Sequence, residues 1–365
     1  MARLAIALAG CVGRVNSRAP KSCADQRQCL GCMAHHLGGD DGPDNTGQES
    51  DLLVRMRLDK NRRFGQVLPH DAAVAAAFGG LRMPVSLKCA LQEILAGWPE
   101  DLPSEWRDLC GDVQLGFEDV DPSLELEFWE PVFPARRGKT FPGMPAGAHM
   151  LRAFDGIAPE RVRCVILGQD PYPSPEFATG RAFEAGNVAS WRELDKMFSR
   201  SVRAFIQQIV AARSGEPRYA RSFADWPRTL AAIETGAVAF EPASLLAQRW
   251  VDDGVLLLNA SLTLSRFRVD GDPHQARGHW PLWRPLMIEA LRALVSGKAP
   301  LVFIGFGDVA AATLRASGVV EGERANYACI LRDHPAHADD VLALENPFLS
   351  CNRRLEAMGA EPIAW

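Results

Sequence analysis

Three polar residues of this chain sit at or just beyond the ends of apolar runs, and each belongs to a type that stabilises charge, moves a proton or reads a polar edge. Asp170 lies just beyond the run 162–168, Asn259 closes 254–259, and His334 comes shortly after 327–331. A carboxylate, a carboxamide and an imidazole together cover charge stabilisation, hydrogen-bond reading and proton donation. Each also has a plainer reading. Asp170 could cap a helix, Asn259 could be a cap or turn residue, and His334 could be a satisfied turn histidine.

The elements that must carry these residues are legible in the same runs. They are rich in Val, Ile and Leu with little polar alternation, which suits strands covered on both faces, as in the parallel sheet of an α/β domain. Ligand sites in such sheets sit at the carboxyl ends of the strands. Gly168 permits a sharp exit, and Pro171, Pro173 and Pro175 stiffen the loop that follows, so Asp170 and Tyr172 are presented in a fixed geometry. A further strand is expected at 301–307, helices at 189–213, 283–295 and 310–314, and the tail of a helix at 150–154.

Composition sets the bounds. With 365 residues, 47% of them hydrophobic, the chain can bury a sizeable core. No apolar run approaches the roughly 20 residues a membrane span needs, so no membrane partner is expected. The formal net charge of −5 confines any nucleic-acid-binding face to a local patch. Nine cysteines without a regular framework point to a reducing compartment, the cytoplasm. Against that, Leu8-Ala9-Gly10-Cys11 has the small-residue look of a lipoprotein processing site, behind an apolar segment shorter than a usual signal core. Residues 1–70 mix Gly, Asp, Arg and Cys without a period and are expected to be a low-order tail, or a start assigned too early, with Met33 or Met56 as alternatives. Cys29 and Cys32 have the gap of a zinc-site pair but lack a second pair, so no metal is assigned. Residues 71–101 read as a short helical extension, and 102–365 as the main domain.

Gly168-Gln169-Asp170-Pro171-Tyr172 resembles the water-activating motif of the uracil-DNA glycosylase family, and further segments resemble it in the family's order. They are Gly180-Arg181-Ala182-Phe183, the run ending Leu256-Leu257-Leu258-Asn259-Ala260-Ser261, the segment from His274 to Trp280, His334-Pro335, and the closing Pro362-Ile363-Ala364-Trp365. The resemblance implies an α/β fold, a three-layer sandwich with a central, mostly parallel four-stranded sheet flanked by helices. It also implies roles. Asp170 would stabilise the sugar cation and orient water, and His334 would donate to the departing base. Gln169 would lie beside the base, Tyr172 would exclude a C5 methyl, Phe183 would stack on the extruded base, and Asn259 would read its edge. Ser190 and Pro335 would meet the DNA backbone. The segment 274–280 would be structural. No cofactor is implied, the partner is uracil-containing DNA with single strands favoured, and a monomer is expected.

The match fails in places. Pro173 stands where the family has histidine. Asp308, Ala336 and Asp339 stand where it has phosphate-gripping serines, so weak DNA binding is expected. A stretch at about 213–245 lengthens one connection. Its arginines (213, 218, 221 and 228), interleaved with Tyr219, Phe223 and Trp226, could follow a single strand or could simply anchor a surface insertion. The expected function is hydrolysis of the N-glycosidic bond of uracil in DNA. The alternatives are a retargeted or non-catalytic nucleic-acid-binding module of the same fold, or a glycosylase for another modified base.

Overall fold

The structure, a computed structural model, describes residues 84–365 apart from 198, 269 and 270. The tail 1–70, with Cys29 and Cys32, lies outside the described residues. The strands in chain order are β1 (Val85–Ser86), β2 (Glu125–Leu126), β3 (Cys164–Gly168), β4 (Val255–Asn259), β5 (Leu301–Phe306), β6 (Gly322–Glu323) and β7 (Tyr327–Arg332). The helices are α1 (Leu87–Ile94), α2 (Ser104–Cys110), α3 (Arg200–Ser214), α4 (Trp226–Glu234), α5 (Ala243–Asp252), α6 (Trp280–Val295), α7 (Asp308–Ala316), α8 (Ala338–Ala343) and α9 (Pro347–Ala357).

β3, β4, β5 and β7 form a parallel core in the order β4-β3-β5-β7, with β6 added antiparallel at the edge. The sheet therefore has five strands rather than the expected four. The extra strand is only two residues long, too short to leave a period in the sequence. Every residue of β3, β4 and β5 is buried, as their unbroken apolar character requires.

Alternate side chains divide between two cores. Val165, Leu167, Leu256, Leu258 and Phe303 point into one cluster with α6, α1 and α2. Ile166, Leu257, Val302, Ile304 and Phe306 point into the other with α3, α5 and α9. Two helical layers around a sheet buried on both faces make the sandwich three layers deep.

The expected helix at 189–213 is broken in two. A 3₁₀ turn covers Trp191–Lys196, Met197 is extended, and α3 begins after Ser199, whose buried hydroxyl donates to Leu194 O. Three- and four-residue apolar spacing continues across the break, so the sequence reads as one helix. Similarly, 150–154 forms a 3₁₀ turn (Arg152–Phe154) rather than a helix tail.

Residues 84–101 share the core of the residues that follow. Leu87, Leu91 and Trp98 belong to the same apolar cluster as Trp106, Trp283 and Leu286. Leu91 is fully buried, so Leu91→Ala is expected to lower global stability by about 2–5 kcal/mol in a denaturant melt. A change under about 0.5 kcal/mol would mean this segment is detachable.

Candidate active site

β3 delivers Gly168 opposite Asn259 at the end of β4, and the two exits are zipped together. Ala260 N–H donates to Gly168 O (3.0 Å) and Ser261 N–H to Gln169 O (2.9 Å). Asn259 is buried, and its Oδ1 lies so close over Gly168 that a Cβ there would come within 2.6 Å of it. Only glycine lets the carboxamide sit at this point.

Phe183 is brought in from its own loop. Its ring edge lies 3.5 Å from where that Cβ would be, and one ring face stacks on Phe205 at 4.5 Å with an interplanar angle of 4°. The backbone of Phe183 has φ 57°, a left-handed conformation that a bulky residue adopts only under constraint. The neighbouring Ala182 N–H supplies some of that constraint by donating to Leu257 O (3.1 Å). Phe183 also packs edge-on against Phe306 at the end of β5 (5.1 Å). The next residue, Gly307, touches His334: a Cβ on it would come within 3.2 Å of the His334 Cβ. Asp170, Asn259, Phe183 and His334 are thus gathered at the carboxyl end of the parallel sheet.

The Asp170 carboxylate is closed in by N–H donors. Oδ1 accepts from Trp280 Nε1 (2.8 Å), while Oδ2 accepts from Gln275 Nε2 (2.9 Å) and Gln169 Nε2 (3.0 Å). Burial raises its pKa from the usual carboxylate value, and the three donors work against that rise. All these partners donate, and hydrogen bonds of that kind favour the ionised carboxylate over the protonated acid. The side chain of Gln169, expected beside the base, is turned onto Asp170.

His334 is held in one tautomer. Its Nδ1 accepts from Ala336 N–H (3.2 Å), which leaves the proton of the neutral ring on Nε2 by this hydrogen-bond assignment. Burial, and then the neighbouring His337, lower its pKa. Tyr172 packs edge-on against Phe177 (5.5 Å), and burial raises its phenol pKa. The N–H and Oγ of Ser190 both donate to Glu193 Oε1 (3.2 and 3.4 Å), capping the 3₁₀ turn from an exposed position. Pro335 is buried in the turn closed by His337 N–H and His334 O (2.8 Å).

The loops expected to meet phosphate hold other contacts. Asp339 accepts from Arg200 Nη2 (3.2 Å) and from Phe223 N–H (2.8 Å), tying the 213–245 insertion to the His334 loop. Asp308 is exposed in the first turn of α7, where a carboxylate suits the helix dipole. Within the insertion, Tyr219 and Trp226 are buried. Arg213, Arg218 and Arg228 pair with Glu241, Glu216 and Asp225. Phe223 lies under the guanidinium groups of Arg200 and Arg203. These aromatics anchor the insertion and leave little for bases to stack on.

A groove of about 570 Å³, lined by Ala260, Trp280, Arg284, Asp308 and Thr313 among others, opens beside the Asp170 cluster. Arg284 has no hydrogen-bond or ion-pair partner among the described residues. No group of three or more metal-ligand side chains is gathered among the described residues.

The segment 274–280, expected to be structural, also supplies two partners of Asp170, Gln275 and Trp280, which no sequence period marks. The segment is a π-helical turn, Gln275–His279, entering α6. It is pinned from below. The buried His279 bonds Thr263 Oγ1 through Nδ1 and Ser265 Oγ through Nε2, both at 2.9 Å, and burial pushes its pKa down to about 3.

No family model matches the chain. Curated relatives include a uracil-DNA glycosylase of Mycolicibacterium vanbaalenii, 30% identical over 224 residues that cover 61% of this chain and 80% of the relative. Another, from Mycobacterium tuberculosis, is 32% identical over 231 residues with the same coverage of 61% and 80%. Among solved structures, UNG from Nitratifractor salsuginis aligns at TM-score 0.47 and 23% identity, over 74% of this chain and 94% of that one. A mimivirus UNG variant in complex with UGI aligns at TM-score 0.49 and 16% identity, over 77% and 94%.

The buried histidine yields a pH prediction. The unfolded chain takes up a proton at His279 below about pH 6.5, whereas the fold refuses it until about pH 3, so stability is lost as pH falls through that window. The loss attributable to this residue is on the order of 5 kcal/mol. Urea melts from pH 7 to 3 should show a steeper decline for the native protein than for His279→Gln. Parallel curves would contradict the assignment.

Proposed function

Since the chain belongs to the uracil-DNA glycosylase family, we propose that it hydrolyses the N-glycosidic bond of uracil in DNA. The observation that carries this reading is the gathering of Asp170, Asn259, Phe183 and His334 at the carboxyl end of the sheet.

A base must leave the stack before its glycosidic bond can be attacked. Phe183, its ring backed by Phe205, supplies the stacking face, and Asn259 reads the polar edge with its carboxamide. As the bond breaks, positive charge grows on the deoxyribose and negative charge on the base, as in other reactions through an oxocarbenium-like state. The ionised Asp170 stabilises the first and orients the attacking water. His334, neutral with its proton on Nε2, donates a hydrogen bond to the second and needs no excess charge to do so. Tyr172 excludes a methyl at C5 by bulk, which discriminates better than the roughly 1–3 kcal/mol a tolerant pocket obtains from one methyl. Single-stranded DNA is the favoured form, because no base pair has to be opened.

The strand approaches along the groove beside Trp280, with the unpaired Arg284 as a backbone contact. The direct test is alkaline cleavage of a labelled oligonucleotide containing one uracil. Release of uracil is expected with or without EDTA, and Tyr172→Ala should also release thymine. A folded sample that yields no abasic product at high enzyme concentration would sink the proposal. Arg284→Ala should weaken single-strand binding for all sequences alike and reduce the slope of log affinity against log salt by about 1. An unchanged slope would place the backbone elsewhere.

A further inference from the structure

We propose that Gln275 and Trp280 are positioning residues for the Asp170 carboxylate, and that the π-turn between them is what brings both side chains to it. The proposal rests on the reading of Asp170 as the ionised group of the reaction.

The geometry is specific. In an α-helix, residues five apart lie about 140° apart around the axis, so both could not reach one carboxylate. In this turn Trp280 N–H bonds to Gln275 O, the i→i+5 pattern of a π-turn, which widens the helix and brings the two side chains closer around the axis than an α-helix would. They then grip different oxygens: Trp280 holds Oδ1 and Gln275 holds Oδ2. Gln169 also donates to Oδ2, but it neighbours Asp170 on the same loop and cannot fix that loop against the rest of the molecule.

The carboxamide of Gln275 is fixed end to end. Its Oε1 accepts from Asp272 N–H (3.1 Å) while its Nε2 donates to Asp170, so a flipped amide would lose one bond and set oxygen against carboxylate oxygen. The turn itself is held by His279 on Thr263 and Ser265, in the chain just beyond Asn259. Trp283 Nε1 donates to the same Thr263 hydroxyl (2.7 Å). The group that reads the base and the group that faces the sugar thus share one scaffold.

The test uses Trp280→Phe, which keeps an aromatic ring and removes the N–H, and Gln275→Met, which keeps length and removes the donor. Each should lower kcat roughly 10- to 100-fold, the factor that one hydrogen bond to a charged group is worth, with KM unchanged. Each should also move the acid limb of the kcat–pH profile to higher pH, because a lost donor lets the Asp170 pKa rise. The Asp170 carboxyl, titrated by ¹³C NMR in the free protein and assigned with Asp170→Asn, should show the same upward shift without any substrate. An unmoved carboxyl titration in both folded variants would overturn the positioning role. Because that readout does not depend on uracil release, an inactive native enzyme whose variants still shift the carboxyl would refute the substrate assignment alone.

Discussion

A half-buried carboxyl group whose two oxygens must both be met by N–H donors is what the site's architecture depends on. Withdrawing such a group from solvent costs several kcal/mol unless its oxygens find donors. Asp170 finds them in its own loop, through Gln169, and in a distant turn, through Gln275 and Trp280. Those donors have to be held in place, and much of the surrounding architecture does that. The backbone bonds between the exits of β3 and β4 fix the loop, and the buried His279 fixes the turn. The parallel sheet beneath both leaves neither free to shift. Removing any one of these supports leaves a buried charge short of a partner, which costs more than the support itself contributes.

The sheet was legible because a strand covered on both faces has to be apolar throughout, and 162–168, 254–259, 301–307 and 327–331 have no other economical reading. Asp170, Asn259 and His334 were legible as polar ends to such runs. Gln275 and Trp280 were not. A five-residue interval belongs to neither the helical nor the strand period, and a π-turn has no residue signature of its own. Edge strand β6 was too short to register, and the break before Ser199 was hidden because both sides of it are apolar.

The acidic residues in the loops carry a similar lesson. Read as replacements for serine, Asp308 and Asp339 looked like repulsive elements facing phosphate. In the fold Asp339 is a tether, binding Arg200 and the Phe223 amide, so the insertion and the His334 loop are coupled mechanically. Likewise, the aromatics of the insertion resembled a base-stacking track, but Tyr219 and Trp226 are buried and Phe223 is covered by Arg200 and Arg203. Composition locates charges and rings. Only packing shows whether they are already occupied.

The half-buried, donor-held carboxyl of Asp170 is proposed to act on the transition state and not on binding. Single-turnover release of uracil from a single-stranded oligonucleotide, measured beside the Kd for the same strand, separates the two in the native protein and in Asp170→Asn. The variant should release uracil slower by orders of magnitude, with a Kd within a fewfold of native. A variant that released uracil at the native rate would contradict it.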